Sequence, residues 1–529
     1  MNAADAVAVA RLIAKIPGFL RGRVELEEAR ATLDQRRSQR ATDFLALVHA
    51  AVYGHARSPY RALLAHAGCE YDDLAALVAR EGLEGALSSL YQAGVYVTVD
   101  ELKGRCPIVR GSLSLAFAQG QFDNVRVTSD EAVRTSGSRG VPMAVPVSLD
   151  YLQAVAVDVR LTLDARGPGP WSVAYWDVPG ATVFYLLNYA RCGVVPSRWF
   201  SLIDVADPRI APRYRWSARA LRWVSRTAGV RLPPPETTPV DAPLPIARWM
   251  ATALAEGQTP LLLTYPSPAV RLCRAAMSAG IDLTGAQLCL YGEPLTQARL
   301  EVIHRSGAQA RALYATMETW RVGDACLQPE TADEVHLLDD LHALVQPGTG
   351  HVRPGLRPCS LLATSLRPSA PFLLLNASLG DEALITSRRC GCPLQQLGWT
   401  THLSGIRSHE KLTAAGMTFF DADVIRVLDE TLPARFGGGP ADYQLVEDEA
   451  VDGAPSIRLL VHPRVGPLDA AAVSRVFLDA IGGGNGVHAL MARVWNDGEV
   501  VTVERRAPVA TVSGKILHVH STQERARNL

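Results

Sequence analysis

Residues 131–148 read EAVRTSGSRGVPMAVPVS, a small-residue loop of Thr135, Ser136, Gly137, Ser138, Arg139 and Gly140 that runs into an apolar, β-branched stretch. Glycines at 137 and 140 let the backbone take positive φ and approach a ligand closely. The hydroxyls of Thr135, Ser136 and Ser138, with neighbouring N–H groups, form a concave donor set suited to phosphate oxygens, and Arg139 adds a fixed positive charge. The loop is a candidate cradle for a nucleotide triphosphate. A Ser/Gly-rich turn between two strands is the plainer reading, and the stretch alone does not choose between them.

Outward from this loop, the chain has 529 residues, more than one core holds, so at least two domains are expected. Apolar residues make up 48% and charged residues 20%, the balance of a folded protein and not of a disordered or fibrous one. The 53 basic residues offset 53 acidic ones, so the charge asks for neither a nucleic acid nor a membrane surface, and small ligands are the better expectation. No apolar run reaches the length of a membrane span; Leu261–Leu263 and Phe372–Leu375 read as buried strands. The N-terminal ADAVAVARLIAKIPGFL lacks a basic leader and carries Asp5, Arg11 and Lys15, which suits an amphipathic helix better than a signal peptide. Nine scattered cysteines fit a reducing cytoplasm, the expected location.

Residues 1–100 carry helical periodicity, with Phe44, Leu45, Leu47, Val48 and Ala51 on one face and Leu63, Leu64, Leu74, Leu77 and Val78 continuing the pattern. After the loop, 142–147 is strand-like and 149–163 helical, and 171–186 reads as strand, turn and helix. Six prolines between 233 and 245 make 228–245 a surface excursion that cannot hold regular structure for long. From 246 the order is helix, strand (260–264), helix (268–279), strand (286–291), helix (295–306) and strand (311–314), which predicts a parallel sheet covered on both faces. From about 405 short strands and an acidic helix after Phe420 suggest a small α+β domain, joined near Gly405–Glu410.

Four further stretches follow the loop in order. Tyr291-Gly292-Glu293-Pro294 directly follows a strand. Tyr314-Ala315-Thr316-Met317-Glu318 follows the next, at the carboxyl edge where open α/β sheets hold ligands. Asn376–Asp381 puts a carboxylate after a strand and a turn, and Ser513-Gly514-Lys515 lies in TVSGKILHV near the C-terminus. Taken singly, Glu318 is an ordinary loop carboxylate, Asp381 a turn acid, Lys515 a solvated lysine and Tyr314 a core residue.

As an ordered set these motifs resemble the adenylate-forming superfamily of acyl-CoA synthetases, peptide-synthetase adenylation domains and luciferases. Within it, SPYRALL, TSGSRGVP, TYPSPAV, YGEPLT, the Tyr-x-x-x-Glu and a cysteine pair before residue 405 look most like the phenylacetate–CoA ligase-like branch, over about residues 40–520. The resemblance implies an α/β fold with a large N-terminal domain of mixed and parallel sheets flanked by helices, 1–406, made of a helical region 1–100 and a nucleotide- and acyl-binding core 101–406. A small mobile C-terminal α+β lid, 407–529, completes it.

By the same resemblance, loop 135–140 would grip the β- and γ-phosphates of ATP, and the backbone at Gly292, Glu293 and Pro294, with Tyr314 stacking, would hold adenine. Ala315, Thr316 and Met317 would pass beside the nucleotide, and Glu318 would ligate Mg²⁺, a hard cation suited to carboxylate and phosphate oxygens. Asp381 would accept from both ribose hydroxyls, and Arg407 would sit at the domain join near ribose and phosphate. Lys515 would offset charge building on the α-phosphate and the attacking carboxylate. The chain departs from the family at Ala315 for Gly, at Met317, which removes a hydroxyl contact to the α-phosphate, at Arg139 for Thr, at Met143 where many members have Lys, and at Arg407-Ser408-His409-Glu410 for Arg-x-Asp-Asp.

Cys326, His336, Cys390 and Cys392 offer three thiolates and an imidazole, a set suited to tetrahedral Zn²⁺; free buried cysteines are the other reading. Some members of the branch have a similar cysteine arrangement. Such a zinc would be structural, with no open coordination position.

The implied reaction is ATP-dependent activation of a carboxylic acid to an acyl-adenylate and pyrophosphate, followed by transfer to a thiol of CoA or of a carrier protein's phosphopantetheine. One alternative passes the acyl group to an amine; another, from a different class, is a non-catalytic nucleotide- or acyl-binding homologue, suggested by Met317 and His409. The partners expected are a small carboxylic acid, aryl or medium in size, and an acyl carrier protein or amine acceptor; the chain is expected to be a monomer or homodimer. Phe184, Tyr185, Asn188 and Tyr189 in TVFYLLNYARCG are candidate acyl-pocket walls, or an amphipathic helix packing inward. The high alanine, arginine and proline content fits a GC-rich bacterial source, and the departures fit specialised metabolism.

Overall fold

The computed structural model describes residues 3–116, 120–127, 131–134, 144–178, 182–204, 212–240, 242–293, 295–408, 411–414, 417–420, 424, 426–439, 442–449, 455–482, 492, 495, 500–509 and 519–521. Five helices open it: Ala3–Arg21, Leu26–Ser38, Arg40–Val48, Pro59–His66 and Tyr71–Gln92. The periodic residues Phe44, Leu47, Val48, Leu63, Leu64, Leu74 and Val78 are buried in one core with strand residues of the main sheet. Asn376 locks this region on: held at φ 47°, its side chain donates to Leu87 O at 2.7 Å and Val95 O at 3.1 Å. No helix among the described residues is long and apolar enough to cross a membrane.

Two hairpins follow, β1 (Ile108–Arg110) with β2 (Leu113–Leu115), and β3 (Glu131–Arg134) with β4 (Ala144–Val147). The second hairpin brackets the small-residue loop, whose residues Thr135, Ser136, Gly137, Ser138, Arg139 and Gly140, and Met143 after them, lie outside the described residues.

The centre is a twelve-stranded sheet of β5 (Trp171–Asp177), β6 (Arg198–Ser201), β7 (Pro235–Thr237), β8 (Thr259–Thr264), β9 (Gln287–Leu290), β10 (Gln309–Thr316), β11 (Trp320–Ala325), β12 (Val335–Leu337), β13 (His342–Val345), β14 (Ser360–Ser365), β15 (Ala377–Ser387) and β16 (Thr401–Ser408). The order is β13-β14-β15-β16-β12-β11-β10-β9-β8-β5-β6-β7. From β10 to β7 every pair is parallel, and the near-continuous apolar runs of β5, β8 and β9 suit strands buried on both faces. β5, β6 and β7 grow outward in one direction while β8, β9 and β10 grow in the other, so the strand order reverses between β5 and β8. A crevice opens outside the carboxyl ends of strands at such a reversal.

The expected strands and helices between 246 and 316 stand within a few residues of their predicted positions, with helices at Leu244–Ala255, Pro266–Ser278 and Gln297–Arg305. The sheet is mixed, as expected: β8, β9 and β10 are parallel, and in sheet order from β10 through β13 each neighbouring pair is antiparallel. Asp381 lies inside β15 instead of after a turn, because Asn376 in the left-handed region takes the turn and the strand starts at Ala377. The proline-rich segment supplies β7, three residues at the sheet edge, where a missing N–H costs least.

Beyond β16, a hairpin of β17 (Lys411–Ala414) and β18 (Met417–Phe420) precedes a separate four-stranded sheet. That sheet has β19 (Tyr443–Glu449), β20 (Pro455–Val461), β21 (Val501–Glu504) and β22 (Val519–Ser521) in the order β21-β20-β19-β22. Helix Ala470–Gly482 covers it, burying Val473, Phe477 and Ile481.

Candidate active site

Three adjacent parallel strands end in side chains that meet. Asp177 closes β5, Tyr265 follows β8, and Tyr291 follows β9. The Tyr265 hydroxyl donates to Asp177 Oδ1 at 2.5 Å and the Tyr291 hydroxyl to Oδ2 at 2.6 Å, while the Val178 N–H donates to Oδ1 at 2.5 Å. Burial pushes the Asp177 carboxyl up from its ordinary range, against the lowering pull of these donors. Both tyrosines are pushed well above the usual phenol range, first by burial and then by the Asp177 charge, so they stay protonated and donate.

Aromatic rings surround this cluster. Tyr185 lies 5.3 Å from Trp320, 5.8 Å from Tyr175 and 6.3 Å from Tyr291, and Phe184 meets Trp320 edge-on at 5.9 Å. Trp320 takes φ 61°, rare for a bulky residue, and so turns its ring back toward the helix Thr182–Arg191. Of the four candidate wall residues, Phe184, Asn188 and Tyr189 are buried in the packing of that helix, and Tyr185 is half-buried.

The YGEP loop starts at the same edge. Gly292 has φ 77°, and a Cβ there would fall 2.9 Å from the Tyr265 ring, so the loop passes directly over Tyr265. The Glu293 side chain turns inward to a buried ion pair with Arg299 at 3.0 Å, leaving only its backbone for a ligand; Pro294 lies outside the described residues.

One strand further, Tyr314 stands near the end of β10 and its hydroxyl donates to Asp381 Oδ2 at 3.0 Å. β10 and β15 are four places apart in the sheet, about 19 Å if it were flat. Their contact means the antiparallel half curls back over the strand ends. Burial first, then the Asp381 charge, hold the Tyr314 hydroxyl well above the phenol range, and the Glu318 charge adds to the shift. Ala315 and Thr316 end β10 and Met317 and Glu318 lie in the turn to β11, all four half-buried, and the Thr316 and Thr319 hydroxyls meet at 2.8 Å. Met317 packs its thioether on the core.

Arg407 is on β16, and its register partner Glu382 directly follows Asp381. Its Nη1 donates to Asp333 Oδ2 at 3.0 Å, and Asp333 also accepts from the N–H groups of Gly405 (3.2 Å) and Ile406 (2.9 Å). Lys515, Ser513, Gly514, His409 and Glu410 lie outside the described residues.

No protein-family model matches the sequence, and no curated protein does. Solved structures do. A 2-hydroxyisobutyryl-CoA ligase in complex with 2-HIB-AMP and CoA, in the thioesterification state, superposes with TM-score 0.56 at 16% identity over 94% of this chain and 92% of that one. The fold is that of an acyl-CoA ligase. A malonyl-CoA ligase with methylmalonyl-CoA and AMP bound is also similar (TM-score 0.42, 13% identity, 84% and 95% covered). So is an amide bond synthetase from Marinactinospora thermotolerans (TM-score 0.41, 13% identity, 80% and 72% covered).

The four proposed zinc ligands converge, all buried, with their donor atoms within 4.8 Å of one another. Cys326 follows β11 and His336 sits on the antiparallel β12, while Cys390 and Cys392 come from the segment after β15. His336 Nδ1 donates to Trp399 O at 2.7 Å, which leaves Nε2 facing Cys392 Sγ at 3.2 Å and Cys390 Sγ at 3.6 Å. This is the tautomer a metal needs, and corners of a tetrahedral zinc site stand about 3.3–3.8 Å apart. Donation from the Cys326 thiol is the largest of the effects that push the Cys392 thiol far down, and Arg388 lies 3.7 Å from Cys326 Sγ, an offset for surplus thiolate charge.

The sequence reading missed Asp177, Tyr265, Asp333 and Arg299. TYPSPAV was legible as a motif, but nothing in the spacing says that its tyrosine reaches an acid some ninety residues earlier.

Proposed function

We propose that this chain activates a carboxylic acid with ATP, forming an acyl-adenylate and pyrophosphate, and passes the acyl group to a thiol of CoA or a carrier protein. The observation that carries the reading is the hydrogen bond from Tyr314 to Asp381 at the carboxyl edge of a ligase-like sheet, one strand from the turn at Gly292 that follows β9. Adenine lies against Tyr314 and the backbone of Gly292 and Glu293, and Asp381 keeps an oxygen for the ribose hydroxyls. Loop 135–140 holds the β- and γ-phosphates.

The acid's carboxylate oxygen attacks the α-phosphorus in line, and the bond to the pyrophosphate oxygen breaks. Lys515 from the small C-terminal lid, 407–529, offsets the charge that accumulates on the equatorial oxygens. Glu318 would hold Mg²⁺, which when bound neutralises phosphate charge. In the second half the thiol sulfur attacks the acyl carbon, AMP departs with the bonding pair, and the thiol proton goes to solvent. Rotation about residues 405–410 exchanges Lys515 for the acceptor.

Within the adenylate-forming ligases, the phenylacetate–CoA ligase-like branch is favoured by the converging Cys326, His336, Cys390 and Cys392, which would hold a structural zinc. It would fasten the β11–β12 hairpin to the segment leading into β16. Carboxylate-dependent exchange of labelled pyrophosphate into ATP, with wild type and Lys515→Ala, tests the reading. Exchange with a subset of acids that collapses in the variant supports it. Silence over a broad panel, in protein that binds ATP, overturns it.

A further inference from the structure

The hairpin of β10 and β11 turns through Met317, Glu318 and Thr319, with Thr316 and Trp320 paired across its base. The Thr316 hydroxyl accepts from the Thr319 N–H at 3.2 Å and closes the turn. The next residue, Trp320, takes φ 61°. In a three-residue hairpin loop the left-handed place suits glycine, whose backbone accepts it freely. Here a tryptophan only 2% exposed fills it, and a bulky residue stays in that region only where its surroundings hold it.

The hold comes from two distant segments. On helix Leu149–Ala165, the Tyr151 hydroxyl donates at 3.1 Å to Thr319 O, the carbonyl of the peptide that enters Trp320. His342 Nε2, at the start of β13, lies 3.2 Å from Arg321 O, the carbonyl of the residue after Trp320, and 3.2 Å from the Tyr151 hydroxyl. A carbonyl can only accept, so Nε2 carries the ring proton and shares it between Arg321 O and the phenolic oxygen. The phenolic proton is then committed to Thr319 O. Tyr151 and His342 are each 1% exposed, so water cannot stand in for these bonds.

We infer that Tyr151 and His342 are positioning residues for the nucleotide: by gripping the carbonyls on either side of Trp320, they keep the β10–β11 turn in the conformation that sets the backbone of Glu318, the neighbour of Thr319. The inference rests on the reading that gives Glu318 a part in holding ATP. Both residues act through the turn and not on substrate. Losing the grip lets Trp320 leave the left-handed region, and Glu318 moves with it.

Tyr151→Phe keeps the buried ring and removes the donor to Thr319 O. Two readouts are taken on the full-length protein: amide protection over 317–321 without ligand, and the KM values for ATP and acid in pyrophosphate exchange. Protection should fall about tenfold and the KM for ATP rise about fivefold, the range that one lost hydrogen bond allows, while the KM for the acid stays within about twofold. His342→Phe should act alike, and His342→Gln, which returns an N–H donor, should restore the KM for ATP. In a Trp320→Gly background the left-handed place is free of strain, so Tyr151→Phe should there change protection and the KM for ATP by less than about twofold. A pair that merely supports the core would act equally in both backgrounds and leave the two KM values in step.

Unchanged protection and an unchanged KM for ATP in folded Tyr151→Phe, or equal effects in the two backgrounds, would overturn the inference. Lost protection with an unmoved KM for ATP would leave the clamp standing and overturn its part in the nucleotide site. Silence of the wild type with every acid would sink the activation reading and the role given to the pair with it. Protection lost in Tyr151→Phe, and kept in the Trp320→Gly background, would still establish the clamp itself.

Discussion

The Tyr314 hydroxyl donates to Asp381 Oδ2 across 3.0 Å, tying the last strand of the parallel half of the sheet to a strand of the antiparallel half. Both residues are at most 8% exposed, so the bond is made in a place where water cannot replace it. It fixes a ring and a carboxylate that the nucleotide reading uses separately.

Asp381→Ala should therefore cost about 1–3 kcal/mol of stability, because it leaves a buried hydroxyl without its acceptor, and Tyr314→Phe less. In chemical unfolding the double variant should show a coupling of about 1 kcal/mol. Strictly additive losses would mean that the two side chains do not act as a pair. In pyrophosphate exchange Asp381→Ala should raise the KM for ATP more than the KM for the acid.

Purified protein should carry about one zinc per chain by elemental analysis, falling in Cys392→Ser and in the pair Cys390→Ser, Cys392→Ser. Removing the metal with a chelator should lower the unfolding free energy by several kcal/mol, since the ligands come from segments with no other covalent tie. The thiols must lose protons to bind, so metal should leave as pH falls. Full activity per folded molecule in metal-free protein would be consistent with a structural ion; an unchanged unfolding curve would refute the site.

His342 gives a pH dependence of known sign. Burial pushes it down to about 4, and it contacts the Arg321 carbonyl and Tyr151 hydroxyl through Nε2, each at 3.2 Å, while Nδ1 is buried with no partner among the described residues. A second proton would have no acceptor. The unfolded chain takes its proton near pH 6.5 and the folded one only near 4, so this contribution is complete above 6.5 and is lost as pH falls toward 4. The loss reaches roughly 3 kcal/mol. His342→Phe should flatten the fall in urea stability between pH 7 and pH 4.5; an unaltered slope would assign the effect to other groups.

Much of the frame was legible because the strands around 260–316 are short apolar runs separated by helices of regular period, and both signals are local. The curl that brings Asp381 to Tyr314 was not, since the direction of β11 to β16 is decided by pairing between distant strands. Asp381 looked like a turn acid because Gly380 precedes it, yet the turn belongs to Asn376, whose amide finds Leu87 and Val95 across nearly three hundred residues. Arg407 was legible as a charge and its partner Asp333 was not. The set of Cys326, His336, Cys390 and Cys392 was legible as a choice between a zinc site and free buried cysteines, because donor chemistry and the family resemblance named the residues while only the fold could bring two distant segments together. Asp177 carried no mark: an aspartate after an apolar strand is commonplace until two tyrosines from other strands are found on it.

Gly292 connects the nucleotide loop to that cluster and yields the sharpest test. Its φ of 77° suits glycine, and a Cβ would lie 2.9 Å from Tyr265 Cε1 and 3.0 Å from Cδ1. The ring cannot swing aside freely, because its hydroxyl is bound to Asp177 Oδ1 at 2.5 Å. Gly292→Ala thus adds the left-handed penalty, about 1 kcal/mol, to the loss of a bond with a buried carboxylate, about 1–3 kcal/mol, for a total of about 2–4 kcal/mol. In a Tyr265→Leu background the clash and the bond are both gone, and the same substitution should cost only the backbone part. A double-mutant cycle in urea reads the difference directly. Equal costs in the two backgrounds would show that loop and ring are independent, and that the YGEP backbone is not held in place by Tyr265.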